Sequence, residues 1–120
     1  MAVLRIPNSA SQLSGTVDQD LIIVNKPGGI LSVPSIDPKR ISMYHVVYAY
    51  LRKTQIERYG YCKELPYLRP VHRLDLHTSG ILCFSLNPDI NTQLTEIFRQ
   101  HQIHKVYWAI SNPKAQSNFQ

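Results

Sequence analysis

The run Pro70-Val71-His72-Arg73-Leu74-Asp75-Leu76-His77-Thr78-Ser79-Gly80 sets an arginine and a carboxylate two positions apart between apolar segments. In extended chain, side chains alternate with period two, so Arg73 and Asp75 would share a face. A guanidinium beside a carboxylate favours its ionised form, which is the nucleophilic one. For an arbitrary Arg-x-Asp, a structural ion pair is the default reading. Two other stretches change the weighting. Lys26-Pro27-Gly28-Gly29 follows an apolar run, and Lys105 and Tyr107 alternate onto one face of a later segment. Converging, the three would give a pocket with a nucleophilic carboxylate, a flat aromatic and flanking cations.

The elements that must position these groups are readable in outline. Leu21-Ile22-Ile23-Val24 is a short β-branched run typical of a buried strand. It leads into Lys26-Pro27-Gly28-Gly29, a turn, because proline fixes φ and glycine opens backbone shapes that other residues avoid. Ile30 to Pro34 extends again. From Ser42 the period changes: Met43, Val46, Val47, Tyr50 and Leu51 form a helical stripe, with Ser42 as N-cap and Gly60 as terminator. The segment from Pro70 reads as a strand that turns at Thr78-Ser79-Gly80 into a second buried strand, Gly80 to Leu86. Asn87-Pro88 starts another helix, with asparagine as cap and proline in the first turn. Its stripe of Ile90, Leu94, Ile97 and Phe98 carries it to about Gln102. A final strand is expected over Ile103 to Ile110, with His104, Val106, Trp108 and Ile110 opposite Lys105, Tyr107 and Ala109. Residues 1–17 read as a lead-in and 112–120 as a polar tail, around one α/β or α+β domain with helices covering a sheet.

Thirteen Lys and Arg against eight Asp and Glu give a net charge of +5, which favours polyanionic partners without forming a basic tail. No apolar run approaches the roughly 20 residues of a membrane helix. The two cysteines, Cys62 and Cys83, lack CxxC spacing, which fits a reducing, cytoplasmic setting. His101 and His104 have no carboxylate or thiol beside them and do not make a metal site. His77 reads as an exposed loop residue.

Taken together, His72-Arg73-Leu74-Asp75-x-x-Thr78-Ser79-Gly80, with Asn25-Lys26-Pro27-x-Gly29 before it and Lys105-x-Tyr107-x-Ala109 after it, resembles the RluA-type RNA pseudouridine synthases. The resemblance spans Asp18 to Ile110. It implies a mainly antiparallel sheet flanked by helices, and isomerisation of uridine to pseudouridine in rRNA or tRNA without cofactor or metal. By the same resemblance Asp75 is the nucleophile, Arg73 holds a flipped-out nucleotide, and Tyr107 packs on its base. His72 and Lys105 join the substrate contacts, while Lys26, Pro27, Gly29, Thr78, Ser79 and Gly80 shape the turns around them.

Catalytic domains of that family continue past the Lys-x-Tyr motif and add a basic partner for the aspartate. A chain of 120 residues is therefore expected to hold 18–111 as a partial catalytic domain, inactive alone and prone to self-associate through an exposed sheet edge. The alternatives are an RNA-binding remnant without turnover, or a small basic interaction domain with a structural Arg73–Asp75 pair.

Overall fold

A computed structural model describes residues 2–8 and 11–112, with side chains from residue 15 onward. In chain order it contains β1 (Ala2–Asn8), β2 (Ser11–Val17), β3 (Leu21–Lys26), α1 (Met43–Tyr59), β4 (Arg69–Pro70), β5 (Gly80–Ser85) and α2 (Pro88–Arg99). The strands form one sheet in the order β1-β2-β3-β5-β4, antiparallel at every junction. The one parallel pairing described is an isolated bridge between Leu31 and Ser42. The architecture is α+β.

β3 and β5 form the centre, and their register makes the core. Ile22 faces Phe84 and Val24 faces Leu82, and all four are buried with Met43, Val47, Leu68 and Leu74. Met43 and Val47 come from α1, whose predicted stripe holds: Val46, Tyr50 and Leu51 pack partly buried against the same cluster. The helix begins where the sequence placed it. The Ser42 hydroxyl accepts from the His45 N–H, and the His45 ring accepts from the Ser42 N–H, closing a capping box. It ends at Gly60 in the left-handed region, φ 82°, with the Gly60 N–H donating to Ile56 O. At α2, the Asn87 side chain caps the Asp89 N–H, and its amide also donates to Asp20 Oδ1 at 2.9 Å. The Leu86 N–H donates to Asp20 O at 2.8 Å, so the start of α2 is fastened to the β2–β3 turn.

Three expectations need correction. The described part of residues 1–17 is not a lead-in; it supplies β1 and β2, laid antiparallel onto β3. Gly15 permits this contact, since a Cβ there would collide with the Ile23 carbonyl oxygen. The expected strand from Pro70 is only two residues long, and 71–79 is a loop. The expected strand over 103–110 does not form: this segment has no strand pairing and is exposed throughout, Trp108 and Ile110 almost completely. Alternation marks a segment that could bury one face, but a strand also needs a partner edge, and among the described residues none reaches it. The 112–120 tail lies outside the described residues after 112.

Because Phe84 is wholly buried between β3 and α1, Phe84→Ala is expected to cost about 3–5 kcal/mol of stability. The readout is a lower urea midpoint at unchanged slope. Trp108→Ala, at an exposed position, should stay within about 0.5 kcal/mol.

Candidate active site

The 71–79 loop is held from below by the 26–32 segment, through Lys26, Gly29 and Ser32. Lys26 ends β3 on its buried side and is completely inaccessible. Its ammonium donates three hydrogen bonds to backbone carbonyls: Pro27 O at 3.1 Å, Ile30 O at 2.7 Å and Leu76 O at 3.1 Å. An ammonium has three protons, so every donor is used. Burial pushes the Lys26 pKa down from its ordinary value, and the negative charge of Asp75 opposes that shift.

The rest of the clamp is backbone and one serine. The Gly29 N–H donates to Leu76 O at 2.8 Å from a left-handed φ of 90°, which is why glycine is needed there. Gly28 lies close beneath the loop, because a Cβ on it would stand 3.0 Å from the His77 carbonyl oxygen. The Ser32 hydroxyl donates to Leu74 O at 2.6 Å and accepts from the Leu74 N–H at 2.9 Å. The Thr78 N–H donates to Asp75 O at 3.0 Å, and Gly80 leaves the turn at φ 138°.

Asp75 therefore sits between two anchored neighbours, Leu74 and Leu76. Leu74 is buried, whereas Asp75 and Arg73 on either side of it are exposed. The two thus share a face in a loop, as they would in a strand. They form no ion pair: among the described residues, Lys53–Glu57 and Arg99–Glu96 are the salt bridges. Neither the Asp75 carboxylate nor the Arg73 guanidinium has a side-chain partner among those residues. An anchored backbone carrying an unengaged carboxylate and an unengaged guanidinium suits an incoming substrate better than it suits a structural pair.

His72 marks where the chain leaves the sheet. The Val71 N–H still donates to Cys83 O at 3.1 Å, but the next ladder position is filled by a side chain, with His72 Nε2 accepting the Cys83 N–H at 3.0 Å. An accepting Nε2 puts the proton of the neutral ring on Nδ1, which is buried without a partner among the described residues. The ring stacks on Phe98 of α2, centroids 4.7 Å apart and planes 7° apart, and the Lys105 ammonium lies 5.5 Å from the Phe98 centroid. Burial first, and Lys105 second, hold the His72 pKa below its ordinary 6.5.

Of the residues singled out in the sequence, Lys26, Pro27, Gly29, Asp75 and Thr78 are brought together around the loop. Lys105 reaches the His72–Phe98 stack instead. Tyr107 is exposed, and no hydrogen bond or ring contact joins it to Asp75. Ser79 is exposed beside Gly80. Sequence reasoning missed Ser32 and Gly28: a serine in an extended segment has no local signature, and the role of Gly28 is a distance to a residue far along the chain. Among the described residues no group of three His, Cys, Asp or Glu could hold a metal ion. Cys83 is no alternative nucleophile, as burial and the charge of Asp18 push its thiol up to about 11.

Two outcomes test this geometry. Lys26→Met removes the ammonium from three part-buried carbonyls, leaving Leu76 O with the Gly29 N–H alone, and is expected to cost about 1–3 kcal/mol, seen in urea unfolding. For His72 the sign follows from its lowered pKa: below about pH 6.5 the unfolded chain takes up a proton that the folded chain resists, so stability falls as pH falls. The urea midpoint should drop between about pH 7.5 and 5.5, and His72→Gln should flatten that drop.

A family model described as RNA pseudouridylate synthase matches residues 20–120. The chain is 37% identical over 93 residues to the dual-specificity RNA pseudouridine synthase RluA of Haemophilus influenzae, covering 78% of this chain and 36% of that protein. It is 34% identical over 93 residues to tRNA pseudouridine synthase C of Haemophilus ducreyi, covering 78% and 34%. Among solved structures it is similar to human RNA pseudouridylate synthase domain containing 4, with a TM-score of 0.51 and 26% identity over 72% of this chain and 29% of that one. The chain spans about a third of the length of the curated relatives it matches.

Proposed function

Because this chain belongs to the RNA pseudouridylate synthase family, and to its RluA type, we propose that it carries the nucleophile of an enzyme that isomerises uridine to pseudouridine in rRNA or tRNA. The observation that carries the proposal is Asp75: an exposed carboxylate with no hydrogen bond or ion pair to its side chain among the described residues, on a backbone pinned at Leu74 and Leu76. The matched region is about a third of the relatives' length, and the activity is proposed on the strength of that shared part.

In this reading the target uridine leaves its helix, because the reacting atoms are inaccessible while the base is stacked. Asp75 attacks either the ribose or the base, and the N-glycosidic bond breaks. The uracil turns and rejoins the sugar through carbon, the bond to Asp75 breaks and returns the carboxylate, the proton on that carbon leaves, and the freed ring nitrogen takes up a proton. Atoms balance without an oxidant or cofactor, so the protein has to supply position and charge. Arg73 suits the phosphate or sugar of the flipped nucleotide, since a guanidinium offers several donors to one anionic group. Tyr107 is the aromatic proposed to pack on the base and assist the final proton removal.

The test measures tritium release from [5-³H]uridine-labelled rRNA and tRNA by the protein. Asp75→Asn should abolish release while RNA affinity stays within about twofold, as expected for a group acting on the reaction more than on binding. Unchanged release in Asp75→Asn would remove Asp75 from the mechanism. The 120-residue chain alone is expected to bind RNA, with affinity falling steeply as salt rises.

A further inference from the structure

Outside the loop, α1 carries a second cluster. Tyr44, Tyr48 and Arg52 follow one another at i, i+4 and i+8, the spacing that lines up one face of a helix. Tyr44 and Tyr48 are stacked, with centroids 6.1 Å apart and planes 17° apart, and the His45 ring meets Tyr44 edge-on at 6.4 Å. With the small Ala49 between them they line an open cavity of about 390 Å³, Arg52 at its end. Cavities that take small ligands begin at about 300 Å³. No carboxylate lines the cavity. Arg52 makes no ion pair or hydrogen bond among the described residues, whereas its neighbour Lys53 is paired with Glu57 at 3.7 Å.

Two aromatic faces and an unpaired guanidinium around one cavity match a ligand that is flat and apolar at one end and anionic at the other. We propose that this cavity is a subsite for an unpaired nucleotide of the RNA substrate, its base stacked on Tyr44 and Tyr48 and its phosphate on Arg52; the assignment rests on the RNA-modifying function proposed above. Stacking on aromatic side chains is the usual way of holding unpaired bases without reading sequence, and arginine adds the phosphate contact. Arg52 calls for an anionic ligand, and the flat aromatic pair beside it favours RNA over an acidic peptide, because a base stacks on such rings and a carboxylate side chain does not. The subsite is also tied to the loop. The Tyr44 N–H donates to Ser32 O at 3.2 Å, and the Ser32 hydroxyl holds Leu74 from both sides, next to Asp75. A strand seated at Tyr44 would thus be anchored to the same segment that clamps the nucleophile's loop.

The experiment is fluorescence anisotropy of a labelled RNA stem-loop against the 120-residue chain and the full protein, over a series of salt concentrations. Arg52→Gln, at an exposed position, should weaken binding several-fold and reduce the salt slope by about one. Lys53→Gln should change both less. Ala49→Trp, which fills the cavity, should weaken binding about tenfold, the worth of one stacked base. Photocrosslinking with 4-thiouridine RNA should map to Tyr44 or Tyr48. RNA binding left unchanged by both Arg52→Gln and Ala49→Trp would overturn the subsite while leaving the synthase reading intact. No RNA binding by wild type would overturn both. Protection of Tyr48 by free uridine monophosphate without any effect of the variants on RNA binding would mean a mononucleotide site, which also overturns the proposal.

Discussion

The protein depends on a lysine ammonium placed where no water reaches it. Burying a charge is costly unless its hydrogen bonds are replaced, and Lys26 has all three protons on main-chain carbonyls. Those carbonyls come from two loops with no regular hydrogen bonding of their own. The charge therefore cannot be buried unless both loops take up one shape, and the loops have few other reasons to take it. Gly29 and Ser32 add bonds to the same backbone, and together they fix Leu74 and Leu76 while leaving Asp75 outward.

The sheet supplies the platform for that arrangement. β3 delivers Lys26 from one side and β5 receives the chain from Gly80 on the other, and the two are paired as far as Lys26 opposite Gly80. At the far end of the loop the His72 ring stands in for a missing strand partner, so the chain leaves the sheet without abandoning a buried Cys83 N–H. The ring is able to do this because it is neutral, and the same burial and the same Lys105 that keep it neutral make its place in the fold sensitive to acid.

What could be read in the sequence was whatever depends on neighbours in the chain. Ser42 and Gly60 bracket α1 because caps are local, and Asn87-Pro88 starts α2 for the same reason. Leu21 to Lys26 and Gly80 to Ser85 declare themselves as strands through unbroken β-branched and apolar runs. Residues 2–17, with serine, glycine and glutamine among the apolar positions, carry no comparable run, and their pairing depends on how close Gly15 can come to Ile23. In the site, the types Arg73, Asp75 and Lys26 were legible, as was the exposure of the first two on either side of a buried Leu74, whereas Tyr107 is not brought to Asp75. The clamp was not: a lysine after a strand ordinarily reads as a surface cation, and its three acceptors lie 1, 4 and 50 positions away, a set with no periodicity. The 103–110 segment failed in the opposite way, having the pattern of a strand and no edge to join.

Those separations bear on how the site comes into being. The bonds that hold the loop close 42 and 50 residues of chain, from Ser32 to Leu74 and from Lys26 to Leu76. Closing loops of that length loses chain entropy before any contact is gained, so such contacts form late, with the general collapse. Until then Lys26 keeps its water and the 71–79 segment is unstructured coil. Leu76 lies just before β5, so the setting of Asp75 is coupled to the β3–β5 pairing at the centre of the sheet.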